Sequence, residues 1–218
     1  MPFDTALTWN DLAFLGQGAL MTLAVTAVSV AAGTVMGIIF GVIRFQAGPV
    51  WSIPLMFFLD IFRSVPLLIQ LVLGNALQSI AKLGWPPFTT SCVVLSLYTA
   101  GYCTEIVRGG IAAVPMTTRR ASRSLGMTWW QDMRHIVAPL AVRVSIPAWI
   151  GLTLGVMKDS ALVLWLGLIE LLRASQILVT RLQEPLFILL ICGVIYFIIS
   201  FPIARLGGYL ERRWSPYD

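Results

Sequence analysis

The chain has 218 residues, 58% of them hydrophobic and 11% charged, with a net charge of +5 and a mean hydropathy of +0.85. So much apolar surface cannot be hidden in a soluble core of this size, which excludes an ordinary soluble domain and points to an integral membrane protein. The positive balance does not point to nucleic acid, because the basic residues are divided among short segments between apolar runs.

Residues 1–17 carry Asp4 and Asp11 and no basic residue, unlike the start of a secretory signal peptide, so the first apolar segment is expected to be retained. Residues 18–43 contain no charge, and about 20 such residues cross a bilayer as a helix. A second span is predicted over 51–81, interrupted by Asp60 and Arg63, and a third over 83–104. A charged island follows from Glu105 to Pro147, its central loop running over about 108–143. A fourth span over 144–168 contains Lys158 and Asp159, and a fifth covers 186–204. The expected fold is a single all-α polytopic membrane domain of five spans.

Arg44, the six island arginines (Arg108, Arg119, Arg120, Arg123, Arg134, Arg143) and the trio Arg205, Arg212 and Arg213 fall on one face of a five-span topology. The opposite face has only Lys82, Arg173 and Arg181. The positive-inside rule therefore predicts an external N-terminus and a cytoplasmic C-terminus.

Several chemistries lack their residues. The two lysines are followed by Leu83 and Asp159, so no P-loop exists. His135 is the single histidine, and Cys92, Cys103 and Cys192 lie in predicted spans without CxxC spacing. The cysteines read as packing residues and His135 as partly exposed on an interfacial helix. No metal site, cofactor or catalytic residue is expected, and the chain does not hydrolyse ATP through a P-loop.

The island has local punctuation. Residues 117–125 are predicted to form a short helix ended by Gly126, which reaches the left-handed conformation without a side-chain clash. Thr128 and Gln131 fit a capping box, starting a second helix from Trp129 to about Val137 that is expected to stop before Pro139. Trp129, Trp130 and Met133 would sit at headgroup level. Charge alone also fits a basic amphipathic loop resting on anionic lipid.

Charged groups inside spans need partners or a watered path. Asp60 and Arg63 are spaced for mutual neutralisation, as are Glu105 and Arg108. Alternatively Arg63 and Gln70 share a face bordering the path of a polar solute, with a kink at Pro66. Lys158 and Asp159 point about 100° apart. They offer partners for a carboxylate and an ammonium, or form interhelical pairs such as Asp159 with Arg63 or Lys158 with Glu105.

The order of these segments resembles permeases of bacterial ATP-binding cassette importers, specifically the polar amino acid uptake family. The resemblance rests on Phe62 to Gln70 (FRSVPLLIQ), Glu105 to Ile111 (EIVRGGI), Ala121-Ser122 followed by Leu125-Gly126, Lys158 to Leu162 (KDSAL) and Leu210 to Arg213 (LERR). It implies a multi-pass protein of the bacterial inner membrane, in contact with lipid, that binds no nucleic acid. Its implied partners are a second permease subunit, a cytoplasmic ATP-binding cassette ATPase and an external substrate-binding protein. Arg120, Ala121, Ser122 and Gly126 would belong to the coupling helix seated on the ATPase, and Arg63, Gln70, Lys158 and Asp159 are candidates for the path. Arg120 stands where the family has glutamate. Because arginine repels a basic groove residue that glutamate would attract, a heteromeric permease pair is favoured over a homodimer. The alternative function is a self-sufficient secondary transporter or channel, disfavoured by the absence of an inverted repeat.

Overall fold

A chain in hydrocarbon must satisfy its backbone N–H and C=O groups internally, and apolar runs of this length do so as helices. The computed structural model describes residues 7–214, so Asp4 lies outside the described residues. It contains α1 (Trp9–Gln46), α2 (Pro49–Ser64), α3 (Leu67–Ile80), α4 (Pro87–Ala112), α5 (Met116–Ser124), α6 (Trp129–Asp132), α7 (Ala138–Asp159), α8 (Leu171–Leu182) and α9 (Pro185–Trp214). A π-helical turn, Met133–Val137, joins α6 to α7, and a 3-10 segment, Ser160–Leu166, follows α7.

The long helices α1 and α4 form the axis of the bundle. Their contact is built on Gly33, Gly37 and Gly41, one per turn of α1. A Cβ at Gly33 would stand 2.5 Å from Thr99 Cβ, one at Gly37 2.5 Å from Cys103 Cβ, and one at Gly41 2.8 Å from Val107 Cβ. Small residues at such spacing let two helix backbones approach closely where lipid provides no hydrophobic drive for association. Buried Thr90, Ser91, Ser96, Thr99 and Thr104 make α4 the most polar of the long helices, and each hydroxyl donates to the carbonyl four residues earlier. The helix thus neutralises its own polar groups while packed inside the bundle.

At one end of the bundle Leu15, Leu171, Leu178 and Ile188 join α1, α8 and α9. The fully buried carboxylate of Glu170 caps α8, accepting from the N–H groups of Leu172 at 2.8 Å and Arg173 at 2.7 Å, and from the Tyr196 hydroxyl of α9 at 3.2 Å. Asp11 and Arg181 add a 2.5 Å ion pair between α1 and α8. In the middle, Val25, Leu71, Leu95 and Val163 pack α1, α3, α4 and the 3-10 segment together. The other end is closed by Ile111, Val114, Met133, Val137 and Ala141, with Val42 and Phe45 of α1 against them.

Among the described residues, three helical units are long and apolar enough to cross a membrane, and four if the bent α2–α3 pair is one. The helices differ from all five predicted segments, and α1 runs over Trp9–Gln46, beyond both ends of 18–43. Residues 51–81 are not one rod: α2 and α3 meet at 108° across Val65 and Pro66. The helix predicted from residue 83 begins at Pro87, after Lys82 and Gly84 adopt positive φ angles in a turn. The helix within 144–168 starts earlier, at Ala138, and gives way to the 3-10 segment after Asp159. The last helix runs on to Trp214.

Pro139 does not stop the helix that begins at Trp129. Proline has no N–H and its ring collides with the carbonyl four residues back in a regular α-helix. Here the preceding turn is widened, with Ala138 N–H bonded to Met133 O, and Pro139 enters the first turn of α7, where its missing donor costs little. The island is therefore joined without a break to the helix that carries Lys158 and Asp159.

Candidate functional site

The loop between α4 and α7 is a built body. α5 ends in a Schellman motif: Gly126 has φ +78, its N–H bonds Arg123 O at 2.9 Å, and Met127 N–H bonds Ser122 O at 3.2 Å. The capping box at α6 is formed, with Thr128 N–H donating to Gln131 Oε1 at 2.8 Å and Gln131 N–H to Thr128 Oγ1 at 3.4 Å. Ser122 and Asp132 then tie the two helices together through a 2.6 Å bond from Ser122 Oγ to Asp132 Oδ1. Arg119 Nε lies 3.6 Å from Asp132 Oδ2, and its guanidinium sits 5.2 Å from the Phe45 ring centre of α1. A buried carboxylate needs such partners, and Asp132 is 1% exposed.

These bonds divide the candidate coupling residues. Arg120, Ala121 and Gly126 face outward, whereas Ser122, 4% exposed, faces into the loop. The outward face also presents Leu125, 83% exposed, and Trp130, 75% exposed. His135 is exposed, Trp129 is half-buried and Met133 is buried. Two large apolar side chains stand exposed on the same loop as Arg120, Arg123 and Arg134, a surface suited to a protein partner with an apolar groove.

The second cluster lies where α1, α2 and α4 converge. Glu105 is its hub: it pairs with Arg44 of α1, with Arg108 at 2.9 Å and with Arg63 of α2 at 3.8 Å. Arg63 also binds Asp60 at 3.1 Å. The two pairs expected from i, i+3 spacing are both present, but Glu105 joins them into one network with Arg44. The interhelical pairs Asp159 with Arg63 and Lys158 with Glu105 are not formed.

Asp159 instead accepts from the Tyr98 hydroxyl of α4 at 3.3 Å. Tyr102, one turn along, lies 4.9 Å from Tyr98 between ring centres. The Arg63 guanidinium is 5.8 Å from the Tyr102 ring centre, and the Tyr102 hydroxyl donates to Arg63 O at 3.4 Å. A strip therefore runs from Asp159 past two tyrosines to Arg63, with its charged residues at least partly exposed. Lys158 is exposed and forms no ion pair among the described residues. Charges on a membrane-spanning unit do not face lipid, so this face addresses a partner subunit or a watered path.

Gln70 does not share a helical face with Arg63, because the chain breaks between them. Its Nε2 donates to Phe62 O at 3.0 Å and Val65 O at 2.7 Å. Pro66 cannot supply the N–H that Phe62 O would receive in a continuous helix, and the glutamine amide replaces it. Sequence reasoning missed Arg44, Tyr98, Tyr102 and Asp132. Arg44 was readable only as a loop cation, and the tyrosines, one turn apart on an uncharged span, offered period 3.6 as their sole signal.

Residues 33–216 match the family described as the inner membrane component of binding-protein-dependent transport systems. The glutamine transport system permease protein GlnP of Escherichia coli K12 is 28% identical, with 98% of each chain covered. The glutamate/aspartate import permease protein GltK of Escherichia coli O6:H1 is 30% identical, with 97% of this chain and 98% of that protein covered. The crystal structure of an amino acid ABC transporter with histidines superposes with a TM-score of 0.85 at 27% identity, over 95% of this chain and 99% of that one. A chain of the MetNI methionine ABC transporter shares the fold, with a TM-score of 0.83 at 21% identity over 96% of this chain and 100% of that one. This chain belongs to the family of binding-protein-dependent transport system inner membrane components.

Proposed function

We propose that the protein is the permease subunit of an ATP-driven importer for amino acids. It forms the translocation path with a second, non-identical permease and takes its energy from a separate ATPase docked on the α5–α6 loop. The observation that carries this reading is the union of two features in one packed helical unit. The outward loop surface around Ala121, Leu125, Gly126 and Trp130 is continuous, through the π turn, with the helix bearing Lys158 and Asp159. Displacement of the loop by ATPase closure is thereby carried along α7, past Pro147 in its interior, to the charged strip.

In this reading α1, the bent α2–α3 pair, α4, α7 and α9 are five crossings, with the N-terminus external and the loop cytoplasmic. Arg63, Lys158 and Asp159 border the path, and Gln70 supports it by holding the α2–α3 break. Amino acids as cargo are supported by the relatives that transport glutamine and import glutamate or aspartate. Arg120 in place of glutamate supports pairing with a second permease whose loop carries the acidic residue.

The test is reconstitution with the candidate ATPase, second permease and binding protein in proteoliposomes, followed by uptake of labelled amino acids with and without ATP. Uptake that requires ATP and every partner is expected. ATP-independent flux through this chain alone would overturn the reading.

A further inference from the structure

The gap between α1 and α7 holds two apolar cavities that neither the loop nor the ion-pair network explains. The first, about 380 Å³, is lined by Ile38 and Val42 of α1, Cys103 and Val107 of α4, and Ala138 and Val142 of α7. The second, about 330 Å³, lies between Leu23, Val30, Met157 and Ile203. On α7 the first runs from Ala138 to Trp149 and the second from Trp149 to Met157, so Trp149 divides them, its indole N–H donating to Thr34 Oγ1 at 2.8 Å. Ile38 is 48% exposed and Val142 52%, so the first cavity is an open groove on the side of the bundle and not an enclosed void.

The groove offers little to a polar solute or to water. Its two side-chain hydroxyls are already engaged, Thr34 by Trp149 and Ser145 in a bond to Ile106 O at 3.2 Å. Apolar cavities stay dry, and a dry gap forfeits the dispersion contacts of its lining. A helix, about 10–12 Å across with its side chains, is too broad to enter it, whereas a single hydrocarbon chain is not. From Ala138 to Trp149 the groove follows about 16 Å of helix rise, close to the half-thickness of a bilayer's hydrocarbon core of about 30 Å. Its depth is that of one leaflet.

The end of the groove away from Trp149 is where cations lack partners. Met133 lines that end, and Arg134 follows it, four residues before Ala138 on the same continuous helix; Arg143 follows Val142. Both arginines are exposed and form no ion pair among the described residues, whereas Arg44, Arg63 and Arg108 are held by Glu105 and Arg119 by Asp132. We infer that the groove is a binding site for an anionic phospholipid: one acyl chain lies along α7 as far as Trp149, and Arg134 and Arg143 meet the phosphate. Guanidinium groups bind phosphate oxygens by charge-assisted hydrogen bonds, and basic recesses between membrane helices hold anionic headgroups. The long stem of Arg143 lets its charge reach the headgroup level from beside the groove. The site stands apart from the transport reading, since neither solute nor ATPase enters it.

The full chain is purified from membranes in mild detergent, equilibrated with equimolar phosphatidylglycerol and phosphatidylcholine of identical acyl chains, and washed. Retained lipid per chain is counted by native mass spectrometry. Val142→Trp fills the groove, and Val144→Trp, at an exposed position of α7 that does not line it, is the control. Arg134→Gln and Arg143→Gln address the headgroup. In parallel, benzoylphenylalanine replaces Ile38 in intact membranes, and the mass of what it captures on illumination is read.

The unaltered chain is expected to retain phosphatidylglycerol at least about tenfold over phosphatidylcholine, and each arginine variant should lower that preference about fivefold, as for one cation lost beside an anionic headgroup. Val142→Trp should reduce retained lipid about tenfold, Val144→Trp should leave it unchanged, and the adduct at position 38 should have the mass of a phospholipid. Equal retention in the two tryptophan variants overturns the assignment. So does equal retention of the two lipids by the unaltered chain, which marks a lipid annulus without a headgroup site. Capture of a protein at position 38 also overturns it, since a partner subunit then covers the groove. If Val142→Trp fails to insert, the arginine variants and the captured mass decide the question by the same criteria.

Discussion

The hydroxyl of Ser122 donates to the Asp132 carboxylate at 2.6 Å, and this bond makes one body of the two helices that cross the loop. Both groups are buried, so removing either deprives the other of this bond, and loss of Ser122 leaves Asp132 with Arg119 alone. Ser122→Ala and Asp132→Asn should each lower stability by about 1.5–3 kcal/mol, the range for hydrogen bonds to charged groups. Limited proteolysis between Arg119 and Arg134 should become faster in both. Protection equal to that of the unaltered protein would show that the apolar seat of the loop, and not this bond, holds it.

Gly126 stands at φ +78 with no side-chain atom near the position of a Cβ, so the constraint there is conformational and not spatial. Valine in the left-handed region costs about 1–2 kcal/mol, and asparagine far less. Gly126→Val should reorient the exit from α5 and reduce ATP-driven uptake at least about tenfold while the protein still inserts, and Gly126→Asn should retain most uptake. Normal uptake by Gly126→Val would sink the coupling role of the loop.

The approach of α1 to α4 at Gly37 leaves no room for a side chain. Gly37→Leu should displace α4 and lower stability by about 3 kcal/mol or more, the upper range for overpacking. Gly16, on the same helix, has nothing within 4 Å of the position its Cβ would take, and Gly16→Leu is the matched control. Thermal unfolding in detergent should separate the two, and equal midpoints would count against the glycine seam.

Gln70 serves the two carbonyls exposed at the break before α3. Gln70→Leu should cost about 2–3 kcal/mol, since buried carbonyls left without donors carry a desolvation penalty of about 1–3 kcal/mol each that relaxation partly relieves. Solute affinity measured on the purified complex should change little in the folded fraction. A pure loss of affinity at unaltered stability would place Gln70 in the path itself.

Arg120 is exposed and lacks an ion-pair partner among the described residues. In a heteromer whose second permease supplies the acidic residue, Arg120→Glu should leave assembly with the ATPase within about threefold of normal, as expected for one rim charge. Complete loss of co-purification would point to an acidic groove adapted to arginine.

Much of this protein was determined by its sequence alone. Uncharged runs longer than about 20 residues dictate membrane helices, since hydrocarbon leaves the backbone no other satisfied conformation. Gly126 and the Thr128–Gln131 box were legible because caps are local, built from residues three or four apart. The tertiary structure decided what depends on distant segments. Pro139 reads as a stop, yet a π turn carries the helix through it; Pro66 reads as a kink, yet it makes a 108° corner closed by Gln70. Ser122 reads as a docking residue by its small size, and only the position of Asp132, ten residues on, turns it inward. The partners of Glu105 and Asp159 were likewise beyond sequence reasoning, because a charge in a membrane takes whichever partner the packing brings near, and the packing of α1 on α4 is set by three glycines distant from both in the sequence.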